Sequence, residues 1–416
     1  MNHLSLYIHI PFCVSKCNYC DFLSMPCDEG TKQKYVDVLC KEIAERAEHF
    51  KEKKVDTIFF GGGTPSILSS GQMEEIMVAV RKHFQILPTA EISMEMNPGT
   101  VDKDKLKTYK KLGINRLSIG LQSANNEELK ILGRIHTWED FLKTWEMVRE
   151  MGFSNVNIDL MSALPGQTLE SYEETLRKVL ALKPEHISAY SLIVEEGTLF
   201  YQWFGDGKAL PDEVTDRKMY ELTKELLEQQ GYHRYEISNY ARKGYECKHN
   251  VGYWRRKEYL GLGLGAASLI FTDMQKQYSG EKKEEKESAF RRNIRCTNIP
   301  DLQKYLKVDR PQEEGFPINQ AKKKEMTDAN WIEEQTELSL SDQMEEFMFL
   351  GLRMMEGISP AEFEKQFGKP LQQVYGEQIS KLEKQGLLEY KEETKRYALT
   401  LHGIDVSNQV FVEFIN

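Results

Sequence analysis

Short β-rich runs alternate with helical stretches along the chain up to about residue 270. Seven runs are predicted as strands, at residues 4–10, 57–60, 91–96, 116–121, 156–160, 186–193 and 235–240. Several are almost continuously apolar or β-branched, which is typical of strands covered on both faces. Apolar residues three or four apart predict helices at residues 32–50, 72–84, 138–150, 169–182 and 212–230. This alternation predicts an α/β fold of parallel βαβ units, a partial (β/α) TIM-like barrel, with a doubly wound open sheet as the competing architecture.

The pattern changes near the C-terminus. Three helices and a β-hairpin are predicted there, at residues 342–355, 360–367, 371–385, 387–390 and 396–400. They indicate a small winged-helix-like domain, and because no helix in it is markedly basic, a structural or docking role is favoured over DNA binding.

Two polar stretches precede this C-terminal domain. Residues 275–287 carry charged or amide side chains almost without interruption, which is typical of a solvated insertion, and residues 308–325 have the composition of a linker. We therefore predict a barrel over residues 1–270, a charged insertion and linker over 271–335, and the C-terminal domain over 336–416.

Charge and composition limit the classes of function. The formal net charge is −10, from 55 basic and 65 acidic residues, which argues against general nucleic-acid binding. The N-terminus has no signal-peptide pattern, and no window approaches the ~20 apolar residues of a membrane span. We expect a cytoplasmic protein with reduced thiols, so an odd count of 7 cysteines is not a disulfide framework.

Three cysteines cluster directly after the first predicted strand. Cys13, Cys17 and Cys20 lie on the loop that leaves the strand, and in βα architectures sites gather at such strand ends. Thiolates suit zinc or an iron–sulfur cluster. A closed zinc site needs a fourth ligand, for which Cys27 and His9 are candidates. Three ligands on a cubane cluster would instead leave one iron open.

A glycine run follows the second predicted strand. The segment from Gly61 to Pro65 reads Gly-Gly-Gly-Thr-Pro. Glycines allow the backbone to approach a ligand closely and leave amide donors free, although such a run can also be a simple turn.

Together, the cysteine spacing and the glycine run resemble the signature of the radical S-adenosylmethionine (SAM) superfamily. In that superfamily three cysteines hold a 4Fe–4S cluster whose open iron is chelated by SAM, and the fold is a full or partial (β/α) barrel. The resemblance implies a cluster on Cys13, Cys17 and Cys20. It also implies SAM contacts from Tyr7, Tyr19, Gly62, Gly63, Thr64, Glu95, Gln122, Arg134, Asp159 and Ile193, with Tyr190 matching more loosely.

These motifs narrow the resemblance to the branch that holds oxygen-independent coproporphyrinogen dehydrogenases and a family of heme chaperones. Three features separate the two, and all three favour the chaperones. The dehydrogenases carry an extension before the first strand, which here begins near Met1. They also have a fourth cysteine where this chain has Phe22. The chaperones carry a His-Asn-x-x-Tyr-Trp motif, which is similar to the segment from His249 to Trp254 here.

The resemblance to the chaperones implies heme as cargo. His249 is the first candidate iron ligand and Cys247 an alternative one, while Tyr253 and Trp254 could pack on the macrocycle. The motif could also cap a loop and fill the core. Relatives usually carry a histidine at the position of Ala267, so this chain departs from the pattern there.

The leading hypothesis from the sequence is therefore a cluster-bearing heme chaperone that passes heme to apo-hemoproteins. An electron donor such as flavodoxin or ferredoxin is a further expected partner. The alternative is an oxygen-independent coproporphyrinogen III dehydrogenase that decarboxylates propionates by radical chemistry. A third hypothesis is a zinc-stabilised binding protein without a redox role.

Overall fold

The computed structural model describes residues 3–272, 292–308 and 330–415. The charged insertion predicted at residues 275–287 lies outside these ranges, as does the predicted linker apart from Val308. Among the described helices, none combines the length and the apolar character that crossing a membrane requires.

A single 12-stranded sheet dominates the described residues. Its strands are β1 His3–Ile10, β2 Lys54–Gly62, β3 Gln85–Met96, β4 Arg116–Gln122, β5 Val156–Ser162, β6 His186–Ser191, β7 His233–Arg234, β8 Asn239–Ala241, β9 Tyr259–Leu262, β10 Ala267–Thr272, β11 Arg292–Asn298 and β12 Ile332–Leu338. Their order in space is β12-β11-β10-β9-β1-β2-β3-β4-β5-β6-β8-β7. Each of β1 to β5 pairs in parallel with the next strand, β9 pairs in parallel with β1, and the outer strands are antiparallel.

Helices connect the parallel strands and cover one face of the sheet. In the barrel region they are α1 Glu29–Ala47, α2 Ser70–His83, α3 Lys103–Lys111, α4 Asn126–Ile131, α5 Trp138–Glu150, α6 Leu169–Ala181, α7 Leu199–Phe204, α8 Glu213–Gln229, α9 Lys248–Trp254 and α10 Leu302–Tyr305. Helices α2, α5 and α6 each begin with a capping box. The hydroxyl of the N-cap residue accepts from the backbone N–H three residues later, and the side chain of that later residue accepts from the backbone N–H of the N-cap residue. The predicted partial (β/α) barrel is confirmed.

Residues along the parallel strands alternate between an apolar and a polar face. In β1, Leu4, Leu6 and Ile8 are fully buried in the core formed with the helices. The alternate positions of the neighbouring strands carry polar side chains that hydrogen-bond to one another, as Ser118 of β4 does to Asp159 of β5 at 3.2 Å. One face of the strands therefore packs on the helices, and the other face lines the polar interior of the barrel. The candidate site lies in that interior.

The C-terminal region packs around a second apolar core that includes Met348, Phe363 and Tyr375. Its elements are α11 Leu340–Gly351, α12 Pro360–Phe367, α13 Leu371–Lys384, β13 Leu388–Lys391, β14 Arg396–Leu399, α14 Leu401–Asp405 and α15 Ser407–Val412. Three helices and an antiparallel hairpin were predicted and are present, and two short helices follow them. An antiparallel bridge between Glu236 and Met354 joins this region to the barrel.

Two parts of the sheet differ from the prediction. The prediction of a continuous strand at residues 235–240 is wrong. The Glu236 carboxylate accepts from the backbone N–H of Ser238 and from Asn239 Nδ2, and these hydrogen bonds turn the chain. Only the short strands β7 and β8 flank the turn. The predicted segment 271–335 contains β11 and the first four residues of β12, which pair with each other at the sheet edge. Their many charged residues conceal the strand pattern. The division of the chain into three segments stays a prediction.

Candidate cofactor-binding site

The cysteine loop leaves β1 at the carboxyl end of the parallel strands. It folds back on itself, since Cys13 N donates to Met25 O at 3.1 Å and Met25 N donates to Pro11 O at 2.9 Å. Cys13, Cys17 and Cys20 are all partly exposed there, and all seven cysteines of the chain are free thiols. Burial raises the pKa of Cys20. The loop therefore presents three uncommitted thiols at the mouth of the barrel.

The donor set fits a 4Fe–4S cluster better than a closed zinc site. In residues 3–272, 292–308 and 330–415, no three His, Cys, Asp or Glu side chains already surround one metal-ion position. A cubane does not require this, because each of its three cysteines binds a different iron. His9 is also a poor candidate for a fourth zinc ligand, because both of its ring nitrogens are hydrogen-bonded. They lie 2.9 Å from Tyr7 OH and 2.9 Å from Leu23 O.

A hydrogen-bonded chain connects two of these thiols across the barrel mouth. Arg134 Nη1 donates to Cys17 Sγ at 3.5 Å, and its Nη2 donates to Asn97 Oδ1 at 2.7 Å. Asn97 Nδ2 donates to Thr64 Oγ1 at 2.8 Å, and that hydroxyl lies 3.4 Å from Cys13 Sγ. Arg134 follows α4 and reaches the rim through its long side chain, and Asn97 was not among the predicted site residues.

The glycine run brings the end of β2 against the cysteine loop. A Cβ on Gly63 would lie 2.6 Å from the carbonyl oxygen of Phe12, and one on Gly61 would lie 3.1 Å from Glu95 Oε2. Gly62 has a φ of +110°, which side chains rarely allow. Its N–H donates to Glu95 Oε2 at 3.1 Å. These glycines keep open a cradle between the loop and the carboxylate.

Two carboxyl groups lie inside the barrel below this cradle. Burial first, and the charge of Asp159 second, raise the pKa of Glu95 to about 8. Burial also raises the pKa of Asp159, against hydrogen bonds from Asn157 and Ser118. Two buried carboxyl groups that resist ionisation together form a strong site for a cationic ligand. A sulfonium with an amino group is such a ligand.

The remaining predicted SAM residues lie around the same rim with different exposures. Gln122 ends β4 with a φ of +73°, and a Cβ on nearby Gly120 would lie 3.1 Å from its Nε2. Tyr19 packs against Phe200 of α7. Ile193 follows the end of β6 and is 67 % exposed. The structure thus gathers Gln122 with Arg134 and Asn97 but leaves Ile193 at the outer edge.

The His249 motif lies on α9, whose first turn is held by Glu91. The carboxylate of Glu91 accepts from the backbone N–H of Lys248 and of His249, each at 3.2 Å, and lies 3.7 Å from Cys247 Sγ. The sequence analysis missed this role of Glu91. Cys247 is buried, and burial raises its pKa to about 12.

The His249 ring itself is buried and hydrogen-bonded on both sides. Its Nδ1 lies 2.8 Å from Thr57 Oγ1, and its Nε2 lies 2.9 Å from Tyr253 OH. The ring stacks on Phe59 at a centroid distance of 5.1 Å. Burial lowers its pKa to about 3, so the imidazole is neutral.

A cavity of about 440 Å³ lies between this motif, the barrel and the C-terminal region. Its walls include Tyr7, Tyr253, Trp254, Ala267, Arg295 and Glu346. Tyr7 contributes to both spaces, because its ring also lies beside Gly61 in the cradle. The cavity therefore adjoins the candidate cofactor site, and Tyr253, whose hydroxyl lies 2.9 Å from His249 Nε2, lines it.

Comparisons with known proteins agree with this geometry. The Radical SAM superfamily matches residues 7–179, and the HemN C-terminal domain matches residues 338–406. The heme chaperone HemW of Bacillus subtilis is 35% identical over 420 residues, covering 99% of both chains. HemW of Escherichia coli is 42% identical over 268 residues, covering 64% of this chain and 70% of its own. The solved structure of the coproporphyrinogen III oxidase HemN from Escherichia coli matches with a TM-score of 0.78 at 25% identity, covering 99% of this chain and 89% of its own. The chain belongs to the family of the heme chaperone HemW, within the radical SAM superfamily.

Proposed function

We propose that this protein is a heme chaperone that binds heme and passes it to apo-hemoproteins. The observation that carries the proposal is the end-to-end similarity to the Bacillus subtilis heme chaperone, which covers 99% of both chains. This similarity includes the C-terminal region, which closes the cavity beside the His249 motif. We further propose that it acts in the cytoplasm, with a flavodoxin or ferredoxin as electron donor.

Membership in the radical SAM superfamily implies a 4Fe–4S cluster and SAM. We propose Cys13, Cys17 and Cys20 as the cluster ligands. When bound and reduced, the cluster supplies an electron to the sulfonium of SAM. The protein's own contribution is to hold the thiolates, through Arg134 at Cys17 and Thr64 at Cys13. Hydrogen bonds of this kind fix the positions of the two sulfur atoms at the mouth of the barrel.

The cationic end of SAM is proposed to lie against Glu95, in the cradle that the glycines keep open. The second carboxyl group, that of Asp159, is held by hydrogen bonds from Asn157 and Ser118. A cation favours the ionised form of a nearby carboxyl group. SAM binding should therefore ionise Glu95, and the resulting carboxylate should attract the sulfonium more strongly.

Heme is proposed to occupy the cavity, where Tyr253 and Trp254 offer aromatic surface. His249 is the favoured iron ligand, because its neutral Nε2 is hydrogen-bonded to Tyr253, a residue that lines the cavity. Iron would replace that hydroxyl as the partner of the nitrogen. Cys247 is less suited, because burial and the neighbouring Glu91 carboxylate raise the pKa of its thiol and so disfavour the thiolate that binds iron.

Hemin titration of the anaerobically reconstituted protein tests this proposal. We expect a Soret band that is shifted from that of free hemin in wild type and lost in His249→Gln, a substitution that retains hydrogen-bonding groups. His233→Gln is the matched control, because His233 is half-exposed and pairs with Glu246. A wild-type titration without a Soret shift would overturn the proposal. Turnover of coproporphyrinogen III with SAM and a reductant would instead establish the dehydrogenase alternative.

A further inference from the structure

Two arginines share one carboxylate at the edge of the cavity. Glu346 on α11 accepts from Arg295 Nη2 at 2.6 Å and from Arg256 Nε at 2.8 Å. Arg295 lies on β11, and Arg256 lies between α9 and β9. Both Arg295 and Glu346 line the cavity. Side chains from the barrel and from the C-terminal region thus meet at a single charged cluster.

This cluster contains two guanidinium groups and one carboxylate, so it carries an excess positive charge. Arg256 is only 5 % exposed, and neither its Nη1 nor its Nη2 has a hydrogen-bond partner within the part of the chain that the structure describes. Arg295 Nη1 has only a weak contact of 3.5 Å with Tyr259 OH. A buried guanidinium edge without a partner is costly, so such groups are nearly always paired in a finished site. The cluster therefore has donors for one more carboxylate.

We propose that Arg295, which lines the cavity with the buried Arg256 behind it on Glu346, forms a carboxylate-binding subsite that takes a propionate of the bound heme. This inference rests on the proposed heme-binding function. The Tyr253 and Trp254 side chains suit the flat apolar part of such a ligand, whereas the guanidinium groups suit the acidic edge. Glu346 holds both arginines in position when the ligand is absent.

Binding of hemin and of hemin dimethyl ester, in which both propionates are esterified, tests the subsite in the full reconstituted protein. We expect wild type to bind hemin about tenfold more tightly than the ester, the effect of one charge-assisted hydrogen bond. Arg295→Gln should remove most of this preference and leave the affinity for the ester unchanged. Arg292→Gln is the matched control, since Arg292 lies on the same strand but pairs with exposed Glu337.

The outcomes separate the subsite from the carrier function. Equal binding of hemin and ester by wild type, or a full preference retained in Arg295→Gln, would overturn the subsite while leaving heme carriage in place. Binding of neither compound would overturn the proposed function itself. Arg295 is half-exposed, so its substitution should not unfold the chain, and circular dichroism with the cluster absorbance checks this.

Discussion

Glu95 is a residue whose charge depends on what lies beside it. At pH 7 its carboxyl group is largely protonated, because burial and Asp159 raise its pKa to about 8. A bound cation lowers that pKa, so we predict that SAM binding at pH 7 releases a proton. Calorimetry in two buffers of different protonation enthalpy measures the release. Glu95→Gln should bind about tenfold more weakly and release fewer protons than wild type, because only the proton of the SAM amino group remains to be lost.

Glu74→Gln provides the control for this titration, because Glu74 is exposed on α2 and pairs with Lys111. It should keep both the affinity and the proton release of wild type. A binding enthalpy that does not depend on the buffer would contradict the assignment of Glu95.

His136 is a second residue whose environment fixes its protonation state. Burial first, and the charge of Arg134 second, lower its pKa from 6.5 to about 3, although Leu121 and Asp140 act in the opposite direction. Above pH 6.5 the imidazole is neutral in both the folded and the unfolded chain. As the pH falls towards 3, only the unfolded chain takes up the proton, so stability decreases.

We predict that His136 alone lowers the free energy of unfolding by about 2 kcal/mol when the pH falls from 7 to 5. Melting temperatures at these two pH values measure the effect. In His136→Gln the decrease between them should be smaller than in wild type. An equal decrease in both proteins would show that His136 is protonated in the folded state.

At the scale of elements, the junction of β2 with the cysteine loop depends on Gly63. A Cβ there would lie 2.6 Å from Phe12 O and 2.8 Å from Phe12 N, both backbone atoms that cannot move alone. We predict that Gly63→Ala lowers the iron content and the melting temperature, with a loss of about 1–3 kcal/mol typical of overpacking. Gly71→Ala on α2 should have neither effect, since the nearest atom is 3.9 Å from its Cβ position. Equal iron content in the two variants would contradict this account.

The elements differ in how far the sequence alone could predict them. The long, strongly periodic ones were predicted closely, and α5 has the predicted bounds Trp138–Glu150. The strands β9 to β12 were not predicted. β9 is short and contains a glycine, and β11 and β12 are rich in charged and amide residues. The His249 motif was recognised, but its support by Glu91 and Thr57 was not, since those contacts join residues far apart in sequence.

The same limit applies to the candidate site. Cysteines and glycines could be recognised because each set is contiguous along the chain. The connection from Thr64 through Asn97 to Arg134 joins three separate loops, and only the closed barrel brings them within hydrogen-bonding distance. The cavity likewise needs Glu346 of the C-terminal region, which no local pattern relates to the barrel.

At the scale of the whole molecule, a largely buried ion pair is one of the contacts through which the C-terminal region docks on the barrel. Arg353 Nη2 lies 3.8 Å from Glu236 Oε2, and its guanidinium lies 4.3 Å from the centre of the Trp254 ring. Met355 N donates to Tyr235 O at 3.0 Å beside it. Since Trp254 and α11 both line the cavity, docking and heme binding should depend on each other.

We predict that Arg353→Met loosens this contact. The substitution leaves the Glu236 carboxylate buried without its cation, which lowers the free energy of unfolding by on the order of 3 kcal/mol. It also removes the cation–π contact with the Trp254 ring. Hydrogen exchange in α11 should become faster, and hemin affinity should decrease. Arg255→Met is the matched control, because Arg255 pairs with Glu356 at the surface and should change neither quantity. Unchanged exchange in α11 of Arg353→Met would mean that the apolar packing of the C-terminal region, and not this ion pair, holds the cavity closed.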